Sequence, residues 1–303
     1  MKLPASLRKV LLGLYYGGTL PYRLWNNARL YAAGRAPILV FFYHRIAHDR
    51  CVPWSHTNEE FARQIHWLRD NFELISLAEV QRRIRAGLND RPAACITFDD
   101  GYAENCDHAL PLLIEEQIPC TYFVCTHYIL EQQPFPHDIA RGFRLPPNTV
   151  EQIRHMAAGG IEIGAHTRTH ADMGKIHDPR LIREEVCASG QELEQILGQR
   201  VRYFAFPYGL QKNMTSAAFQ MAREHGYDGV TSAYGDYNYP GDDAFHIRRI
   251  HADDMLVLRN WATLDPRKLG NPVPCHYELP TNQPVSASPG ERELTDSCQI
   301  AAT

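Results

Sequence analysis

Along this chain, short runs of adjoining apolar residues alternate with longer stretches in which apolar residues return every three or four positions. The runs cover 38–43, 93–98, 120–125, 161–165, 203–206, 229–232 and 246–250. Ile38, Leu39, Val40, Phe41 and Phe42 follow one another without a polar break, the pattern of a strand buried on both faces. The intervening stretches predict helices. Asn58 stands where it would cap one that carries Phe61, Ile65 and Leu68 on a single face. Ser76 caps the next, which runs through Val80 and Ile84 to a stop at Gly87. Stretches near 104–116, 149–157, 179–197 and 215–225 share the pattern. In the third of these Leu181, Val186 and Leu193 face inward, and Glu184, Glu185, Glu192 and Glu194 form a polar side. About seven strand–helix alternations predict an α/β fold, either a (β/α) barrel or a doubly wound sheet.

Both ends depart from this rhythm. Lys2, Arg8, Lys9, Arg23, Arg29, Arg35 and Arg45 all precede the first acidic residue, Asp49, with Leu, Tyr and Trp interleaved. No apolar run there approaches the roughly 20 residues of a spanning helix, and Gly17, Gly18 and Pro21 interrupt any signal-like stretch. Residues 1–36 are therefore an extension that either lies on an anionic membrane face or packs on the body of the protein. Five prolines between Pro272 and Pro289 punctuate a polar stretch, so 271–303 reads as a flexible tail. The central 37–270 segment is long enough for one core.

Composition narrows the function. A net charge of −4 excludes a general nucleic-acid binder. The eight cysteines include no C-x-x-C pair, and Cys95, Cys120 and Cys125 lie in apolar runs, as buried reduced thiols do. That usage and the interrupted leader point to the cytoplasm or the inner face of a membrane.

Four strand ends carry candidate chemistry, at the end of an α/β sheet where sites are built. Asp99 and Asp100 close the run 93–98. Two adjoining carboxylates raise each other's pKa, a conflict that a bound cation resolves, and Gly101 lets the chain turn so that both reach one pocket. Alone, the pair could equally be a helix cap with a second Asp. His166 and His170, after 161–165, have the i, i+4 spacing that shares one face of a helical turn and chelates metal. With Asp100 they make three ligands and leave a position for water. An exposed histidine pair is the other reading. Pro207, Tyr208 and Gly209 shape a turn after 203–206 that aims the Tyr208 N–H outward, where it could hold an oxyanion. Tyr43-His44 ends the first run, and His44 is a candidate general acid.

These motifs resemble the polysaccharide deacetylase family, the NodB-like carbohydrate esterases. Thr97–Tyr102 is similar to its T-F-D-D-G motif and His166–His170 to its H-[ST]-x-x-H motif, with the likeness extending over about 37–252. The resemblance implies a distorted (β/α) barrel and one divalent metal, Zn2+ foremost with Co2+ or Ni2+ as alternatives. It implies removal of acetyl groups from an N-acetylated saccharide. It makes Asp99 the general base, Asp100, His166 and His170 the ligands, and Tyr208 the oxyanion donor. Ala205 and Phe206 replace the usual Arg of the third motif, as in the F-A-Y-P-Y-G branch that includes enzymes of exported poly-N-acetylglucosamine. That branch takes its acid from an amino-terminal Y-H strand, so His44 is preferred to His251, whose Ile250-His251 is an imperfect L-x-H. Arg249 is a candidate substitute for the missing Arg. Likeness to an export branch places the protein outside, against the cysteine usage. An O-acetyl esterase, a non-catalytic sugar binder and a partner subunit docked on a membrane synthase through 1–36 are the competing readings.

Overall fold

The computed structural model describes residues 4–233 and 236–269, so the predicted tail lies outside the described residues. The apolar runs form parallel strands in one curled sheet: β1 (Leu39–Tyr43), β2 (Ala93–Phe98), β3 (Cys120–Val124), β4 (Glu162–Ala165), β5 (Tyr203–Ala205), β6 (Gly229–Thr231), β7 (His246–Ile247) and β8 (Ile250–His251). Their order across the sheet is β7-β6-β5-β4-β3-β2-β1-β8. Glu73–Leu74 adds a short ladder beside the first residues of β2, with Glu73 opposite Ala93. The α/β barrel expectation holds, with eight strands on this path rather than about seven.

The extra strand comes from 246–250, expected as a single strand. It breaks at Arg248 and Arg249. His246–Ile247 pairs with β6 and Ile250–His251 pairs with β1, which are opposite edges of the sheet. The seam is thus crossed by the covalent chain rather than by a ladder. Asn238 fills the gap with hydrogen bonds: its Nδ2 donates to the carbonyls of Ile38 (3.3 Å) and Arg248 (2.9 Å), and its Oδ1 accepts from Arg248 N (2.8 Å).

Strand alternation sorts the core into two sets. Leu39, Phe41, Tyr43, Ala94, Ile96 and Phe98 pack outward against helices Asn58–Asn71 and Ala109–Glu115. Val40, Cys95, Phe123, Tyr203 and Ala205 point into the barrel, where helix Leu77–Ala86 plugs the amino-terminal end with Val80 and Ile84. Gln81 of that plug donates to the carbonyls of Asp228 and Ala244 and accepts from the Tyr203 hydroxyl. The inward set continues upward through Thr97 to Asp99, so the site sits at the open, carboxyl end.

Three local expectations change. Thr57, not Asn58, caps helix Asn58–Asn71, because a capping box with Glu60 satisfies both backbone N–H groups. Leu181 is 50% exposed and Ile182 is buried in its place. A π-helical turn, Glu184–Ala188, splits that helical stretch and shifts the inward face. The amino-terminal extension forms one helix, Ala5–Ala32, that continues through Gly17, Gly18 and Pro21. Among the described residues no helix is long and apolar enough to cross a membrane.

Candidate active site

Asp99 follows Thr97 on the inward side of β2. Simple alternation would turn Asp100 away. Instead Asp100 takes φ 75° and Gly101 φ 99°, so the chain rolls over and both carboxylates are 3% exposed at one place. A left-handed Asp is sterically costly, and the turn is held from outside: Cys125 N donates to Asp100 O and Asn148 N to Gly101 O.

His166 and His170 converge on Asp100, but not as sequence spacing suggested. They lie on a loop rather than a helical turn, and Thr167 and His170 are both left-handed, at 59° and 58°. Glu185, from the π-helical turn, pins this loop. Its carboxylate accepts from the N–H groups of Arg168 and Thr169 (2.9 Å each) and from the Thr169 hydroxyl (2.6 Å). Sequence reasoning assigned Glu185 to a polar helix face. The shift in phase that turns it inward carries no sequence signal we can name.

His166 Nε2 and His170 Nε2 lie 3.4 and 3.2 Å from Asp100 Oδ1. The Oδ1 atom is buried and neither contact has hydrogen-bond geometry, so it lacks a hydrogen-bond partner among the described residues. His166 Nδ1 is 2.9 Å from the Ala205 carbonyl, which can only accept. That bond puts the ring proton on Nδ1 and turns the Nε2 lone pair toward Asp100. A cation placed between that lone pair and the Asp100 oxygen would satisfy both. A tetrahedral ion with ligands at about 2.0–2.1 Å has edges of about 3.3 Å, close to the observed separations. One ligand atom from each of the three residues fits within 4.8 Å of the others, so the set suits a metal.

Arg249 decides the state of the second carboxylate. Entirely buried, it reaches Asp99 from the β7–β8 break in a two-pronged pair, with Nη1–Oδ1 2.6 Å and Nη2–Oδ2 2.8 Å. It also donates to Thr97 Oγ1 and the Ser232 carbonyl, and its guanidinium lies over Phe42 and Phe123. Burial works to push the Asp99 carboxyl up, but the charge of Arg249, with His166 adding to it, holds it below the ordinary range. Arg249, the candidate substitute for the missing Arg, thus stands bonded to both oxygens of Asp99.

His44 and His251 end the adjoining strands β1 and β8, with ring centroids 5.6 Å apart. They differ in what they face. His44 lines a cavity of about 260 Å3 together with Asp99, Asp100, His166, His170 and Tyr208, whereas His251 is not part of its lining and bonds Asp253 through Nδ1 at 2.9 Å. Burial pushes the His44 imidazole down to about 4, against the pull of Asp100 and Asp99, so the ring is neutral at pH 7. Pro207 accepts from Gly209 N (2.6 Å) in a tight turn that leaves Tyr208 left-handed at 60°. Among the described residues the Tyr208 N–H has no acceptor. Glycine at 209 is required, since a Cβ would stand 2.5 Å from Ala233 N.

Phe42, Trp54, His137, Arg141, Phe206 and Ala233 complete the wall, and of these only Phe206 lay in a motif. Trp54 and His137 are held through Tyr102, whose hydroxyl accepts from Trp54 Nε1 (3.0 Å), lies 3.2 Å from His137 Nε2 and donates to Asp138 (2.9 Å).

Residues 86–230 match the family model described as polysaccharide deacetylase. This stretch is a polysaccharide deacetylase domain. It holds Asp99, Asp100, His166, His170 and Tyr208, while His44 and Arg249 come from outside it. Curated relatives of the deacetylase domain include a chitooligosaccharide deacetylase of Bradyrhizobium sp. (strain ANU 289), 28% identical over 158 residues, covering 50% of this chain and 64% of the relative. A poly-beta-1,6-N-acetyl-D-glucosamine N-deacetylase of Staphylococcus aureus (strain MRSA252) is 22% identical over 68% of this chain and 74% of its own length. The matched stretch spans 66% and 64% of the first two curated relatives. Among solved structures, IcaB from Ammonifex degensii superposes with TM-score 0.63 at 24% identity, over 75% of this chain and 97% of that one. The Streptococcus pyogenes deacetylase PplD gives TM-score 0.60 at 20% identity, over 71% and 92%. At such identities the likeness is one of fold.

Proposed function

We propose that this protein is a metal-dependent hydrolase that removes N-acetyl groups from an N-acetylated sugar or polysaccharide, releasing acetate and an amino sugar. One observation carries the reading: an orphaned Asp100 oxygen faced by two imidazole nitrogens at tetrahedral-edge distances, beside a carboxylate that is not a ligand. The printed names of the relatives, chitooligosaccharide and poly-N-acetylglucosamine N-deacetylases, support the substrate class.

Asp100, His166 and His170 would hold the cation, and a carboxylate with two imidazoles suits Zn2+ first. When bound, it supplies Lewis acidity toward the acyl oxygen and toward water. The remaining work falls to side chains of this chain. Asp99, fixed by two prongs of Arg249, accepts a proton from the attacking water. The Tyr208 N–H faces the oxygen on which negative charge develops. An amine leaves poorly unless protonated, and His44 lines the same cavity. Being neutral at rest, His44 must be charged within the turnover. The proton that Asp99 takes from the water serves: it passes to His44 and from there to the amine nitrogen, which leaves Asp99 ionised and the ring neutral again.

The test is acetate release by the purified full-length protein from N-acetylhexosamine oligomers and from O-acetylated xylo-oligosaccharides, with and without chelator. The proposal expects chelator-sensitive release from the N-acetyl series. Release that chelation leaves untouched, or release confined to the O-acetyl series, would overturn it.

A further inference from the structure

Helix Ala5–Ala32 leaves a broad apolar stripe uncovered. An amphipathic helix on a globular body buries its apolar stripe and shows its polar one. Here the side that meets the body carries polar groups beside half-buried Leu12, Leu20 and Leu30, of which Leu30 packs on the core. Arg23, fully buried, donates to the Asn260 carbonyl (2.7 Å) and to Thr263 (3.2 Å). Tyr15 donates to Asp265 (2.8 Å), and Lys9 pairs with Asp254 (2.9 Å). The outward side carries Leu7, Leu11, Leu14, Tyr22 and Trp25, between 43% and 69% exposed. Their spacing of three, four, seven or eight places them on one stripe.

Charge identifies what would cover that stripe. The helix contains no acidic residue. Arg8, Arg29 and Arg35 are exposed along it and just beyond it, although the whole chain is net negative. Tyr22 and Trp25 are adjoining rings with centroids 6.0 Å apart, and the Arg29 guanidinium lies 5.5 Å from the Trp25 ring. Apolar side chains rimmed by aromatic rings and by cations alone match the boundary between lipid tails and anionic headgroups. A second copy of the chain would bring the same cations face to face.

We propose that the outward stripe of helix Ala5–Ala32 is a docking surface for an anionic lipid bilayer, on which the helix lies flat rather than spans. Lys9 pairs with Asp254, which caps the helix after β8, so the amino-terminal turn stands at the same end of the barrel as the candidate site.

The experiment is co-sedimentation of the full-length protein with phosphatidylcholine vesicles, with and without phosphatidylglycerol, at low and high salt. Binding is expected with phosphatidylglycerol at low salt, weakening as salt rises. Replacing Leu11, Leu14 and Trp25 together by Glu should abolish it. Arg8→Gln and Arg29→Gln should each weaken it about fivefold at low salt. Circular dichroism melting of each variant should match the parent, because the altered side chains are exposed. The proposal is overturned if the parent ignores phosphatidylglycerol vesicles, if the triple-Glu variant binds them equally well, or if light scattering finds a dimer that the triple-Glu variant breaks.

Discussion

Replacing Arg249 by methionine tests the centre of the site without touching a ligand. The change removes a buried cation bonded to both Asp99 oxygens, to Thr97 and to the Ser232 carbonyl, and leaves an apolar chain of similar length between Phe42 and Phe123. Stripping one partner from a buried ion pair costs about 3–5 kcal/mol, because the other charge stays desolvated. The melting temperature should fall by an amount on the order of 10 °C. The loss should also depend on pH with a definite sign. In the parent, the Asp99 pKa is depressed, so its stabilising contribution is present above about pH 4 and is lost as pH falls through the folded value. In the variant, the largest charge opposing burial is gone, and that pKa rises. The charged form then destabilises the fold, and the deficit grows as pH rises toward 7. Urea unfolding of both proteins at several pH values, in chelator so that no cation contributes, reads this directly. Adding Asp99→Asn to the variant should restore most of the loss, since the desolvated Asp99 charge is then gone. A deficit under about 1 kcal/mol at pH 7, or one unchanged between pH 4 and 7, would refute the reasoning.

Further outcomes follow from the same geometry. Asp99→Asn should abolish acetate release yet retain metal, whereas Asp100→Ala and His166→Ala should lose both, as measured by bound-metal analysis beside the activity assay. Glu185→Ala frees the loop that holds the two histidines and should weaken metal binding about 10–100-fold without removing a ligand; calorimetric titration with Zn2+ checks it, and unchanged affinity would sink the role given to the π-helical turn. His44→Ala should slow amide cleavage about 10²–10⁴-fold with metal content intact. Because the folded-state pKa of His44 is lowered to about 4, the parent should lose stability as pH falls from about 6.5 toward 4. His44→Gln should flatten that slope in thermal melts.

Much of this was legible from local pattern. The strand runs, the cap at Ser76 and stop at Gly87, and the strand-end positions of His44, Asp99, Asp100, His166, His170 and Tyr208 depend on periodicities of two and 3.6 and on turn chemistry. Those are properties of neighbouring residues. The sequence also held the identity of Arg249, but not its purpose. That arginine reaches Asp99 across 150 residues only because the last strand breaks and straddles the seam of the barrel. The convergence of His166 and His170 on Asp100 depends likewise on left-handed residues held by a distant glutamate, not on helical spacing. The orientation of the amino-terminal helix was equally hidden. Its composition was visible, but which side met the body depended on Asn260, Thr263 and Asp265 being there to receive Arg23 and Tyr15. Local sequence sets what each segment prefers to be; which side chains share a pocket is decided by contacts between segments, whose energies appear only once the chain has closed.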